Sequence, residues 1–186
     1  NFKNVEKIIY FLTLNDVYQT SNLLNINNKT NTGEATYYLR DFKIIKKLNS
    51  YLRSKSYLYM FIKGIGTDPS KRWFSNVLNQ YKKKKLDFFK KDIEIMKSVS
   101  DKNNSDFYVV ILPYEFQTRN CSKNILLPQK KIIEILAKSN INFMDFTENF
   151  CKQKKPKKLF YKFDPMHLSR DGHMLVFNLL NDKINF

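Results

Sequence analysis

An α/β fold built on a parallel sheet is what this sequence predicts, and three observations carry the expectation. Runs of β-branched and aromatic residues alternate with longer stretches of helical periodicity. One run, DFYVVILPYEF (106–116), is apolar on both faces, as a strand in the middle of a parallel sheet must be. Polar clusters follow the ends of the strand candidates, where open α/β sheets hold their ligands. A three-layer α/β/α sandwich with right-handed crossovers is therefore expected.

The first strand lies in KIIYFLTLND (7–16), which stops at the turn-forming pair Asn15–Asp16. NINNKTNTG (25–33) reads as a polar loop. From 34 to about 62, Leu39, Phe42, Ile45, Leu48 and Leu52 recur at three and four, the period of a helix. GIGTDPS (64–70) interrupts it. A second long helix is expected over 70–100, with Phe74, Val77, Leu78, Tyr81, Phe88, Ile93 and Met96 inward and KKKK (82–85) as a solvated stretch. Pro113 ends the central strand. Residues 129–140 read as a helix with Ile132, Ile133, Ile135 and Leu136 inward, and INFMDF (141–146) as a short strand. After the basic loop KQKKPKK, a last helix spans 170–182 with Ser169 as its N-cap.

The 186 residues suit one domain, and 42% hydrophobic with 15% aromatic residues describes a folded chain. No apolar run reaches the ~18 residues that suggest a membrane span, and no signal peptide is visible. A net charge of +16 raises a nucleic-acid binder. Almost all of it is Lys, whereas Arg reads phosphates and guanine edges best, so nucleic acid is not the expected partner. Cys121 and Cys151 form no zinc-ligand spacing; spacing leaves both free thiols and one disulfide open.

Both histidines fall in FDPMHLSRDGHMLVF (163–177). Asp164 lies three residues before His167, close enough for its carboxylate to accept a hydrogen bond from Nδ1 and leave Nε2 as a base. Pro165 stiffens what reads as a loop between them. Asn15, just past a buried strand, can aim its amide at a developing oxyanion; as part of an Asn-Asp pair it also suits a plain turn. PYEFQTR (113–119) follows the central strand, so Glu115 and Arg119 either contact substrate or pair with each other.

LTLNDV (12–17) and FDPMHLSRDGH (163–173), in this order, resemble the Asn-bearing and the Asp-His-bearing blocks of the SGNH (GDSL-type) hydrolases. FYVVILPYEF and NINFMDFTENF look like the strands between those blocks. The likeness covers residues 7–18 and 106–182, with 34–100 matching only as a helical insertion in a flavodoxin-like sandwich. It implies His167 as general base, Asp164 as its orienter and Asn15 as oxyanion donor. Asp16 is then structural, Gly172 permits close packing, and His173 packs and hydrogen-bonds. No cofactor or metal is implied.

The Gly-Asp-Ser nucleophile block and the block with the oxyanion-hole glycine are absent from this sequence. The chain is expected to be the C-terminal portion of one SGNH-like domain, inactive alone, with the Ser upstream. The expected activity is ester hydrolysis on a small molecule, glycan or lipid. An O-acyltransferase of surface polysaccharide and a non-catalytic glycan-binding module are the alternatives. The resemblance also suggests an extracytoplasmic site of action and a membrane anchor upstream.

Overall fold

The computed structural model describes residues 5–17, 43–66, 68–83, 86–162 and 164–184. The loop expected at 25–33, and the start of the helix expected from 34, lie outside them. The chain is mixed α/β around a parallel sheet of three strands in the order β1-β2-β3. These are β1 (Lys7–Leu12), β2 (Asp106–Ile111) and β3 (Asn142–Asp145). As its two-faced apolarity requires, β2 is central.

Alternation along β2 builds two cores. Phe107, Val109 and Ile111 point to one, shared with α3 (Pro69–Lys83), α4 (Asp87–Lys102) and α6 (Leu127–Lys138) through Phe74, Tyr81, Ile93, Ile132 and Leu136. Val110 points to the other, which gathers Phe146, Phe150, Leu159, Leu168, Val176 and Leu180. Phe146 precedes α7 (Thr147–Cys151), and the others come from α7, a 3₁₀ turn (Pro156–Leu159), β5 (Asp164–Leu168) and α8 (Arg170–Lys183). Register fixes the sheet's carboxyl edge: Leu12 pairs with Ile111, and Ile111 with Asp145. The segments after the three strands therefore start side by side.

Four expectations need correction. The helix expected through 62 is two, α1 (Lys43–Lys55) and α2 (Tyr57–Gly66), broken at Ser56, whose hydroxyl accepts from the Tyr59 amide. Gly64 therefore lies inside a helix and does not end one. The helix expected over 70–100 is also two, α3 ending at Lys83 and α4 starting at Asp87. That break resets the helical phase, so Phe89 is buried whereas Phe88 and Met96 are 58% and 40% exposed. Asp68, not the glycines, marks the start of α3, its carboxylate accepting from the Lys71 amide.

The last helix begins as expected. The Ser169 hydroxyl accepts from the Gly172 amide at 3.3 Å, and the Ser169 amide donates to Leu159 O at 2.9 Å. Gly172 faces the 3₁₀ turn so closely that a Cβ there would overlap the Leu159 carbonyl. That contact is backbone on both sides and cannot yield by rotamer change. Gly172→Ala should cost about 2–3 kcal/mol of stability, as overpacking against fixed backbone does. Urea denaturation checks it, and an unshifted midpoint would mean that α8 does not need this approach.

Candidate active site

Asp164 and His167 meet, but not in the loop expected for them. They lie on β5, which pairs antiparallel with β4 (Phe160–Tyr161). A regular strand would put residues three apart on opposite faces. Here Phe160 pairs with Leu168 while Tyr161 pairs with Asp164, so β4 advances one residue where β5 advances four. The surplus on β5 bulges, and the bulge brings the two side chains together. His167 Nδ1 lies 2.6 Å from Asp164 Oδ2. A carboxylate only accepts, so Nδ1 carries the proton and Nε2 is left as a base. Asp164 Oδ1 accepts from the Met166 amide at 3.3 Å.

Partial burial works against ionisation of Asp164, but the hydrogen bonds from His167 and Met166 outweigh it and hold the carboxyl below its ordinary range. The side chains of Asp164 and His167 are 44% and 68% exposed, so the pair stands open at the surface.

Asn15 sits in the turn after β1. Thr13 and Asp16 close that turn: the Thr13 amide donates to Asp16 Oδ2 at 2.8 Å, and the Asp16 amide to Thr13 O at 3.1 Å. Asp16 thus has the structural role expected of it. Two hydroxyls converge on Asn15 Oδ1, Thr13 Oγ1 at 2.9 Å and Tyr114 OH at 2.7 Å. With its oxygen so held, the amide is oriented, and Nδ2 has no hydrogen-bond partner among the described residues. Tyr114 is buried, and burial, reinforced by the nearby Asp16 charge, pushes its phenol well above its ordinary pKa. The hydroxyl therefore stays protonated as a donor.

Glu115 and Arg119 grip each other. They lie at either end of the short α5 (Glu115–Thr118), at helical spacing. Arg119 Nε and Nη2 donate to Glu115 Oε1 and Oε2 at 2.7 and 2.6 Å, a two-pronged pair, and the guanidinium also bonds Asp68. Those bonds, Glu115 first, push the Arg119 pKa still higher against the opposing effect of burial. Of the two roles weighed for this segment, mutual pairing is the one seen. The pair nevertheless borders a cavity of about 390 Å³ that also takes in Pro165, the neighbour of Asp164. Asn15 joins neither pair directly; Tyr114, the residue before Glu115, links it to α5.

Strand order puts Tyr114–Glu115 and Asn15–Asp16 at one sheet edge, but no local signal gives the bond between Tyr114 and Asn15 or the reach from Asp68 to Arg119. Buried Gln117 accepts from the Tyr114 amide and exchanges hydrogen bonds with Gln129, which fixes α5 below the site. His173 is exposed, and its side chain has no hydrogen-bond partner among the described residues, so the packing and hydrogen-bonding role expected for it is not seen. Cys121 and Cys151 are joined in a disulfide with Cα atoms 6.3 Å apart, tying the segment after α5 to the end of α7. Among the described residues no group of three or more His, Cys, Asp or Glu is placed to hold a metal ion, and no helix is long and apolar enough to cross a membrane.

No protein-family model matches the chain, and no curated protein or solved structure matches it either.

Two outcomes follow from the geometry. Nitrogen-resolved NMR of the neutral imidazole should find the proton of His167 on Nδ1, and Asp164→Asn should erase that preference. Because the Asp164 carboxyl titrates lower when folded than unfolded, its contribution to stability is complete above the unfolded pKa. It is lost as pH falls through the folded value, so Asp164→Asn should flatten that part of the acid limb. Separately, Glu115→Gln should cost about 3 kcal/mol by breaking a largely buried charge pair from one side, whatever substrate is present. A melting temperature unchanged by Glu115→Gln would return Glu115 to a substrate role.

Proposed function

We propose that this chain carries the base, its orienting acid and an oxyanion donor of an SGNH-class serine esterase, with the nucleophilic Ser supplied by residues beyond this sequence. The observation that carries the reading is the 2.6 Å contact between His167 Nδ1 and Asp164 Oδ2, which leaves an exposed Nε2. The Asn15 amide, oriented through its oxygen, supports the oxyanion role. A parallel sheet with helices on both faces is compatible with the sandwich that such enzymes use.

In this reading the Ser hydroxyl attacks an ester carbonyl while His167 Nε2 takes its proton. The carbonyl oxygen gathers negative charge, and Asn15 Nδ2 donates to it. Asp164 faces the imidazolium formed on His167 and stabilises it. His167 then returns the proton to the departing alcohol, and water, deprotonated by the same Nε2, releases the acid. If a sugar hydroxyl takes the place of that water, the product is an O-acylated glycan. The Cys121–Cys151 bond supports action in an oxidising compartment outside the cytoplasm.

The test is to express the chain together with whatever its reading frame encodes upstream. Labelling by a fluorophosphonate and hydrolysis of p-nitrophenyl acetate are then followed. The expected result is one labelled Ser outside this sequence, with His167→Ala lowering turnover by about 10³-fold or more, as loss of a general base in a triad does. Absence of any reactive Ser in the complete frame would sink the reading.

A further inference from the structure

The segment leading into β5 is basic and held in place. Lysines stand at 152, 154, 155, 157, 158 and 162. Lys152 pairs with Glu148 at 2.7 Å. Lys154, Lys155, Lys157 and Lys158 are exposed, and none makes an ion pair among the described residues. This stretch is no loose tail. Leu159 and Phe160 are buried in a core, Ser169 bonds both Lys158 O and Leu159 O, and the disulfide fastens the chain just ahead of it.

Its place matters as much as its charge. Lys157 and Lys158 line the 390 Å³ cavity that Pro165 borders, together with the Glu115–Arg119–Asp68 cluster. Both carboxylates in that cavity pair with Arg119, which offsets one of their two charges, so one negative charge remains there against the two lysines. Tyr161 adds a ring that is 60% exposed at the same wall, an apolar plate with a polar tip. Ser70, also a lining residue, is 5% exposed, and its hydroxyl has no partner among the described residues. A concave site with cations in excess, one open aromatic face and a spare buried hydroxyl fits a chain of sugars bearing acidic groups.

We propose that the cavity binds an anionic glycan, its carboxylate or other acidic groups on Lys157 and Lys158 and a pyranose face on Tyr161. This deepens the esterase reading, on which it rests for what happens to the glycan after binding; binding itself needs no nucleophile. Nucleic acid fits less well. The arginine at the cavity is engaged by two carboxylates, and one exposed ring offers only one stacking platform. A membrane would need the lysines on a projecting face rather than in a hollow.

Isothermal titration of the chain with decameric oligogalacturonate, against neutral maltoheptaose, tests the proposal. The acidic oligomer should bind and the neutral one should not, with affinity falling about tenfold or more between 50 and 300 mM salt, as for other contacts made by several cations. Lys157→Ala with Lys158→Ala should weaken binding by about tenfold, and Tyr161→Ala by several-fold with the salt dependence kept. The exposed pair Lys130→Ala with Lys138→Ala, on α6 away from the cavity, should change it little. Equal loss from both lysine pairs overturns the site in favour of diffuse charge. Tighter binding of duplex DNA or of phosphatidylglycerol vesicles overturns the glycan. Since no turnover is read, binding by this chain is judged apart from catalysis, and only the lack of a reactive Ser in the complete frame would fault the esterase reading.

Discussion

The layout around Asn15 and Tyr114 depends on the register of three parallel strands. Leu12, Ile111 and Asp145 lie abreast, and the backbone continues the ladder by one step, the Leu112 amide donating to Leu12 O and the Phe146 amide to Ile111 O. A slip of one residue would turn every side chain of β2 to the opposite core. Both faces of β2 are buried, so such a slip would exchange Val109 and Val110 between two differently shaped interiors. The register is therefore strongly specified. With it comes the position of Tyr114, three residues past Ile111, under Asn15, three residues past Leu12. Asn15 is thus held by the register of the sheet as well as by its own turn.

The Asp164–His167 pair obeys a different constraint. Half-exposed ion pairs contribute little, typically under about 1 kcal/mol. The pair cannot hold the bulge that forms it. What holds the bulge is at its ends: Leu168 and Phe160 in the core, Ser169 bonded to Leu159 O, and Gly172 admitting that carbonyl against α8. Met166 inside the bulge packs against the opposite core. β5 is thus pinned to both interiors of the domain, and its polar residues are carried where the apolar ones leave them.

Several features were legible because their signals are local or periodic. The apolar run of β2, the Ser169 cap and the three-residue spacing of Asp164 and His167 are such signals, and all three appear in the structure. The breaks at Ser56 and between Lys83 and Asp87 were not, because helix-forming residues flank both and periodicity alone reads through them. β4 has two residues, too few for any pattern, so its pairing turned an expected loop into a bulged strand. Tyr114 and Asp68 act on residues distant in sequence, and only the fold brings them near. The Cys121–Cys151 bond was open for the same reason, since spacing does not give the separation of two Cα atoms.

Exposure decides how the imidazole can work. A carboxylate stabilises an imidazolium far more when water is excluded than when it is near, because the attraction scales inversely with the local dielectric. On the surface seen here, Asp164 fixes the tautomer of His167 at little electrostatic gain. Full leverage comes only when something covers the pair. In the proposed reading two bodies do so, the segment bearing the Ser and the substrate lying in the cavity beside Pro165. In that reading the imidazole is oriented before anything binds, and it gains the electrostatic support of Asp164 only once both have covered the pair.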